Sequence, residues 1–205
     1  MSIPESQRRV AYINEMIESG HADRLVAEGE AYHQDQLNHI ADEISSRYPI
    51  RVVLLAGPSS SGKTSTSHRL CLSLLEHAKK PVALSLDNWF LESDKAPLDE
   101  EGKQDYESVY ALDLAQFDED LRRMIAGEEV ALPTFNFLTG KREYNGEMVQ
   151  LHRDNILVVE GIHALNPILT EHIKPENKYK IYAAPMSPVS LDGETWIPTH
   201  VHRLL

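Results

Sequence analysis

This 205-residue chain has one cysteine, no long apolar run and a shortage of positive charge. A lone Cys71 cannot form a disulfide within the chain, which favours a reducing compartment, here the cytoplasm. The opening MSIPESQRRV lacks the apolar core of a secretory signal, and no segment approaches the roughly 18 apolar residues of a membrane-spanning helix. We therefore expect a soluble cytoplasmic protein without a membrane partner.

The shortage of positive charge limits the other partners. The chain has 32 Asp and Glu against 20 Lys and Arg, which gives a formal net charge of -12. Such a surface repels nucleic-acid backbones, so we expect no nucleic-acid partner, and any bound phosphate must be held at a local site. The composition is otherwise that of a globular chain, and the length predicts one sizeable domain.

Hydrophobic spacing divides the chain into a helical segment at 1–49 and an α/β core at 50–205. The helical segment has two stretches with helical spacing, separated at Gly20. The core has apolar runs of strand length at 50–57, 81–87, 155–161 and 178–185, the first three typical of buried strands, with helices predicted at 63–79 and from Asp113 to Gly127. Strands that alternate with helices predict a mostly parallel, doubly wound sheet in a three-layer α/β fold.

The connection between the second and third strands is too long for a simple crossover. It contains an acidic loop at 92–107, the helix from Asp113, and the segment ALPTFNFLTGKREYNGEMV at 131–149. Turn signals at Thr139-Gly140 and Asn145-Gly146 separate strand-like aromatic stretches in that segment. We predict a β-hairpin excursion over the active face of the sheet.

Glycine is scarce, yet two of the 10 glycines lie in GPSSSGKT at 57–64. The spacing of Gly57, Gly62, Lys63 and Thr64 matches a loop whose backbone N–H groups surround phosphate oxygens, and a helix pattern follows it as that loop requires. Lys63 can reach the outer phosphates, and the Thr64 hydroxyl can bind Mg²⁺. The alternative is a Gly/Ser turn with a surface lysine. The predicted nucleotide-binding residues are Gly57, Pro58, Ser59, Ser60, Ser61, Gly62, Lys63, Thr64 and Ser65.

Two carboxylates end the second and third predicted strands, Asp87 in SLDNWF and Glu160 in LVVEG. At the carboxyl ends of parallel strands both point toward the phosphate loop, where one can assist Mg²⁺ and the other can accept a proton from an attacking hydroxyl. The alternatives are a helix N-cap for Asp87 and a turn cap for Glu160. His163 follows Glu160 closely and borders the same site, unless its role is a loop hydrogen bond.

In order along the chain, AGPSSSGKTS, SLDNWF, YESVYALD, PTFNFLTGKR and VVEGIHALNP resemble the uridine kinase and phosphoribulokinase family of P-loop kinases, in particular uridine kinase-like modules of longer bacterial proteins. The resemblance covers about residues 50 to 184. It implies a P-loop NTPase fold and transfer of the terminal phosphate of ATP to a hydroxyl of a nucleoside or similar small molecule. It also implies that Lys63 and Thr64 serve ATP and Mg²⁺, that Asp87 is the catalytic base and that Glu160 supports the metal.

The acceptor positions depart from the family pattern. The predicted substrate-binding residues are Asp87, Phe90, Tyr106, Glu107, Phe135, Asn136, Arg142 and His163. Residues 106–109 read Tyr-Glu-Ser-Val where uridine kinases have Tyr-Asp-His-Pro, and residues 135–137 read Phe-Asn-Phe for Tyr-Asp-Phe, with Gly140 in place of a histidine; Arg142 is retained. Since polar contacts supply most selectivity among similar ligands, a uridine- or cytidine-like nucleoside is only the first expectation.

The C-terminus departs from the family as well. The family has an arginine-rich lid helix and a last strand after the fourth strand, whereas this chain stops at HRLL with only Arg203 for that helix, so we expect both features to be absent. Three functions stay open: a nucleoside kinase, a kinase for another alcohol or sugar phosphate, and a nucleotide-binding regulatory module without turnover. An assembly of identical chains is also left open.

Overall fold

The computed structural model describes residues 9–47, 49–184, 189–190 and 196–197, and the C-terminal expectations built on Arg203 lie outside them. The helices and strands, in chain order, are α1 (Val10–Glu18), α2 (Ala22–Ser46), β1 (Val52–Ala56), α3 (Lys63–Glu76), β2 (Lys80–Ser85), α4 (Leu114–Ala126), β3 (Glu129–Ala131), β4 (Thr134–Asn136), β5 (Lys141–Glu143), β6 (Met148–Gln150), β7 (Asn155–Glu160), β8 (Lys178–Tyr182), β9 (Val189–Ser190) and β10 (Trp196–Ile197). None of the described helices is long and apolar enough to cross a membrane.

The central sheet has four parallel strands in the order β2-β7-β1-β8. Strands β1 and β7 lie in the middle and are buried along their whole length, as continuous apolar runs predict. Strand β2 lies at an edge, where Lys80 and Ala83 are exposed, so the prediction of a fully buried second strand is wrong. The parallel, helix-covered sheet that the sequence predicted is confirmed.

Helices cover both faces of this sheet. On one face α2 and α3 pack on β1 and β7, with Leu37, Ile44 and Leu70 in one buried cluster. On the other face α4 contributes Phe117 and Leu121 to a second, larger cluster. The division between residues 49 and 50 stays a prediction, because the second half of α2 shares a core with the strands.

Backbone conformation sets the ends of the core helices. Helix α3 ends at Glu76, three residues before the predicted end, and Ala78 at φ +56° has left the helical region. Helix α4 begins after Asp113, whose side chain accepts a hydrogen bond from the amide of Gln116, and ends at Gly127 at φ +84°.

The excursion between α4 and β7 is a pair of nested antiparallel ladders. Strand β3 pairs with β6, and inside them β4 pairs with β5. The predicted turn glycines lie between the strands, Gly140 at φ +64° in the β4–β5 turn and Gly146 at φ +82° between β5 and β6. The β-hairpin excursion predicted from the turn signals is confirmed.

Candidate functional site

The loop from Gly57 to Gly62 joins β1 to α3 and has no room for larger residues at its start. A Cβ on Gly57 would lie 2.5 Å from the carbonyl oxygen of Ala183, just beyond β8, and 2.6 Å from the Ser61 Oγ. Gly62 directly precedes α3 at φ +79°, a conformation that side chains disfavour. Both glycines of the motif are therefore required by the local backbone.

The interior of this loop suits an anion. The first N–H groups of α3, a helix of 14 residues, have no partner within the helix and carry the positive end of its dipole. Lys63 folds back over the loop, and its Nζ donates a 3.0 Å hydrogen bond to the Pro58 carbonyl. Ser60 lies at φ +58°, which is uncommon outside glycine, and the buried Ser61 Oγ has no hydrogen-bond partner among the described residues.

Thr64 and Glu160 place two side-chain oxygens beside the loop. Glu160 is the last residue of β7, level with Leu55 of β1 and Ser85 of β2, and it is buried. The Thr64 Oγ1 donates a 3.2 Å hydrogen bond to its Oε1. The described residues contain no group of three or more His, Cys, Asp or Glu that could hold a metal ion alone. This pair fits Mg²⁺, which proteins commonly hold with one or two side-chain oxygens together with substrate phosphates.

Asp87 lies in the short 3-10 turn Leu86–Trp89 that follows β2. Burial and, next, the negative charge of Glu160 raise the pKa of its carboxyl group, while Lys63 and His163 act in the opposite direction. The N-cap of the turn is Ser85, so Asp87 does not have the capping role that was its alternative reading. A carboxyl group with a raised pKa, beside a phosphate loop, can accept a proton from a hydroxyl group.

His163 lies in the turn after β7, close enough to Asp87 to influence its pKa. Its Nε2 is buried and has no hydrogen-bond partner among the described residues. His163 does form a hydrogen bond within its loop, but with its backbone: the His163 carbonyl accepts from the Asn166 amide at 2.7 Å. The predicted role of the imidazole in substrate binding stays a prediction.

The aromatic residues that were predicted to bind the acceptor pack against one another and do not form an open surface. Phe90 and Phe135 are buried, and Tyr106 is half-buried against them, with ring centroids 5.1 Å apart for Phe90 and Tyr106. Phe137, which sequence reasoning did not select, is 63% exposed and lies 4.9 Å from the Phe135 ring. It lies just after β4, in the turn that leads to β5.

Arg142 is half-buried and used within the protein. Its Nη2 donates to the Asp113 Oδ2 at 2.9 Å and to the Phe90 carbonyl at 3.3 Å. Asp113 is also the N-cap of α4, so its ion pair with Arg142 joins β5 to the start of that helix. The second bond of Arg142, to the Phe90 carbonyl, joins β5 to the segment that follows Asp87. Sequence reasoning did not select Asp113, although the N-cap position was recognisable.

Glu107 and Asn136 have local roles in turns. The Glu107 amide donates to the Asp105 side chain, and Glu107 itself is exposed. The Asn136 Oδ1 accepts from the amides of Leu138 and Thr139, which shapes the β4–β5 turn. Their predicted role in substrate binding stays a prediction.

Ser93, Tyr106 and Gly140 form a contact between the acidic loop and the hairpin that we call the loop–hairpin clasp. The Ser93 amide donates to the Gly140 carbonyl at 2.9 Å, and the Ser93 and Tyr106 hydroxyls are 2.9 Å apart. A Cβ on Gly140 would overlap the Ser93 Oγ. The clasp therefore excludes a side chain at position 140.

The family model described as "Phosphoribulokinase / Uridine kinase family" matches residues 52–192. The uridine kinase of Lactobacillus helveticus (strain DPC 4571) is 25% identical over 131 residues, 64% of this chain and 59% of its own length. Uridine-cytidine kinase C of Dictyostelium discoideum is 31% identical over 121 residues, 59% of this chain and 25% of its own. The chain thus spans little more than half of the first relative and a quarter of the second.

Two solved structures share the fold. A possible uridine kinase from Bacillus stearothermophilus aligns with a TM-score of 0.59 and 19% identity over 72% of this chain and 79% of its own. A candidate fructose transport system kinase from Silicibacter sp. TM1040 aligns with a TM-score of 0.51 and 18% identity over 66% and 68%.

Proposed function

Because this chain belongs to the phosphoribulokinase and uridine kinase family, we propose that it transfers the terminal phosphate of Mg-ATP to a hydroxyl group of an uncharged small molecule. A uridine- or cytidine-like nucleoside is the first candidate, and the cytoplasm is the proposed compartment. The observation that carries the proposal is the meeting of three groups at the carboxyl ends of adjacent strands: the loop after β1, Asp87 after β2 and Glu160 at the end of β7.

The proposed roles follow from the chemistry of each group. The loop amides hold the phosphate oxygens, and the Lys63 ammonium leaves the Pro58 carbonyl for a terminal phosphate oxygen. Thr64 and Glu160 would hold Mg²⁺, which neutralises phosphate charge when bound. Asp87 accepts the proton of the acceptor hydroxyl as its oxygen bonds to the terminal phosphorus, and the bond from that phosphorus to the bridging oxygen breaks, releasing ADP.

Charge pairing on the acceptor side supports an uncharged acceptor. A cavity of about 270 Å³ is lined by Leu91, Glu92, Lys95, Asp113, Arg142 and Tyr144. In it Lys95 pairs with Glu92 at 3.1 Å and Arg142 pairs with Asp113 at 2.9 Å. Arg142 is the half-buried cation of this cavity, so a sugar phosphate or a carboxylate acceptor would have to break its pair with Asp113 and approach the carboxylates of Asp87 and Glu160.

A second candidate is a kinase for another uncharged alcohol, such as a sugar. The loop–hairpin clasp favours it, because Gly140 carries no side chain and the Tyr106 hydroxyl is already bonded to Ser93. Polar groups that are paired within the protein are less available to read the edge of a nucleobase.

The test is mass-spectrometric detection of phosphorylated product from nucleosides, free sugars, sugar phosphates and pantothenate with Mg-ATP. Lys63→Ala is the control, because Lys63 lies in the first turn of α3 and is not part of the core. A product from an uncharged acceptor that disappears with Lys63→Ala supports the proposal and identifies the substrate class. Product from anionic acceptors alone contradicts the charge argument. Bound ATP without any product indicates a nucleotide-binding regulatory module instead.

A further inference from the structure

Trp89, two residues after Asp87, is anchored to a buried carboxylate. Its side chain is fully buried, and its Nε1 donates a 2.8 Å hydrogen bond to the Asp120 Oδ2 in the middle of α4. The other oxygen of Asp120 accepts from the Gln116 Nε2 at 2.9 Å, and only 3% of Asp120 is exposed. Burial of a carboxylate without hydrogen-bond partners costs free energy. Asp120 is tolerated at this buried position because both of its oxygens accept hydrogen bonds.

The turn that carries Asp87 is thus held at both ends. At its start Leu86 packs against Gly161, where an added Cβ would lie 2.8 Å from the Leu86 Cβ. At its end the Trp89 ring meets Phe117 edge-on, with centroids 5.3 Å apart.

The backbone after the turn is bonded to the start of α4 as well. The Asp113 amide donates to the Trp89 carbonyl at 2.8 Å, and the Leu91 amide donates to the Ala111 carbonyl at 2.8 Å. A four-residue 3-10 turn has poor internal hydrogen bonding and depends on such external contacts for its orientation.

We propose that Asp120 is a positioning residue for phosphoryl transfer: through Trp89 it fixes the turn Leu86–Trp89 and thereby the direction in which Asp87 presents its carboxyl group to the acceptor. This inference rests on the proposed function. The bond to Asp120 is a polar side-chain anchor of the turn, and it adds a directional contact at the indole Nε1 to the packing of the ring against Phe117. A displacement of about 1 Å at a catalytic group can reduce the rate on the order of 100-fold.

The test compares Asp120→Asn, Asp120→Leu and the matched control Glu119→Leu. The Asn side chain can still accept from the indole while the Gln116 amide rotates to accept from its NH₂ group, so kcat should stay near wild type. Asp120→Leu removes the acceptor, and kcat should fall about 10- to 100-fold with the Kd of Mg-ATP and the acceptor KM little changed. Glu119, the neighbouring acid on the same helix, is exposed, so its Leu variant should keep wild-type kcat.

A second measurement reports on the hydrogen bond between Trp89 and Asp120 and does not require turnover. Hydrogen exchange of the Trp89 indole N–H, assigned by NMR with Trp89→Phe, should be slow in wild type and Asp120→Asn and fast in Asp120→Leu. If Asp120→Leu does not fold, Trp89→Phe keeps an aromatic ring and should show the same loss of kcat.

The outcomes separate the two proposals. A folded Asp120→Leu or Trp89→Phe protein with wild-type kcat overturns the positioning role, as does an equal loss in Glu119→Leu. A wild-type chain with a protected indole and no turnover on any acceptor overturns the proposed function, and the positioning role of Asp120 with it.

Discussion

Gly57→Ala tests whether the phosphate loop depends on its close approach to the chain after β8. The added Cβ would meet the Ala183 carbonyl oxygen at 2.5 Å, about 0.9 Å short of ordinary contact at 3.4 Å. That oxygen belongs to the backbone, so no side-chain rotation relieves the overlap. Overpacking of this kind costs about 1 to 3 kcal/mol, which lowers Tm by about 2 to 12 °C in a chain of this size. The displaced loop amides should weaken Mg-ATP binding about 10- to 100-fold, which corresponds to one lost charge-assisted hydrogen bond.

Calorimetry of unfolding and titration with Mg-ATP measure the two effects. Gly29→Ala is the matched control, because Gly29 lies inside α2 with nothing within 4 Å of an added Cβ. Alanine in a helix interior should stabilise the protein by about 0.5 to 1 kcal/mol and leave ATP binding unchanged. A Gly57→Ala protein with wild-type Tm and wild-type ATP affinity would refute the steric argument.

Three further predictions concern the site and the α2–α3 contact. Thr64→Val should raise the Mg²⁺ concentration needed for turnover about tenfold or more, whereas Thr64→Ser should stay near wild type; equal behaviour of both variants would contradict a role for the hydroxyl as ligand. Asp87→Asn should suppress phosphoryl transfer while ATP binding stays nearly intact; loss of both would indicate a metal or structural role. The same variant should stabilise the protein at pH 7, because the pKa of the Asp87 carboxyl group is raised and the stability of the wild-type protein therefore falls as the pH rises through that pKa. Hydrogen bonds of His77 to the Ser73 carbonyl and, next, to Asp42 raise the pKa of His77 above its ordinary 6.5. The protonated His77 therefore stabilises the folded protein below pH 6.5, and this stabilisation is lost as the pH rises through the raised pKa. Urea unfolding across this range should show less pH dependence for His77→Gln, and an unchanged profile would argue against the contact.

The phosphate loop could be predicted from the sequence because its chemistry is local. Gly62 has a positive φ and Gly57 lies against the Ser61 side chain within eight consecutive residues, and the strand before them reads as a buried apolar run; only the contact of Gly57 with the Ala183 carbonyl depends on the wider fold. Strand order is not local. The edge position of β2 depends on which strand it pairs with, and a run such as PVALS fits an edge or a centre equally well.

The acceptor side was harder to predict, because aromatic residues suit both a core and a binding surface. Phe90 and Phe135, both predicted to bind substrate, have ring centroids 5.6 Å apart and are buried, and Phe137 is the exposed ring. Asp120 had a recognisable signal, an acid on the face of α4 that also carries Phe117 and Met124, since residues 117, 120 and 124 share a helix face. Its partner lies 31 residues away, which only the fold reveals.

The loop–hairpin clasp constrains how this chain could acquire a new acceptor preference. A histidine or any other side chain at position 140 collides with Ser93, so that change on its own is blocked. Ser93→Gly opens the space but removes the hydroxyl bonded to Tyr106, so the loop and the hairpin lose one of their ties. A side chain at position 140 therefore requires a change at position 93, and a mutant library that varies both positions reaches variants that changes at position 140 alone do not.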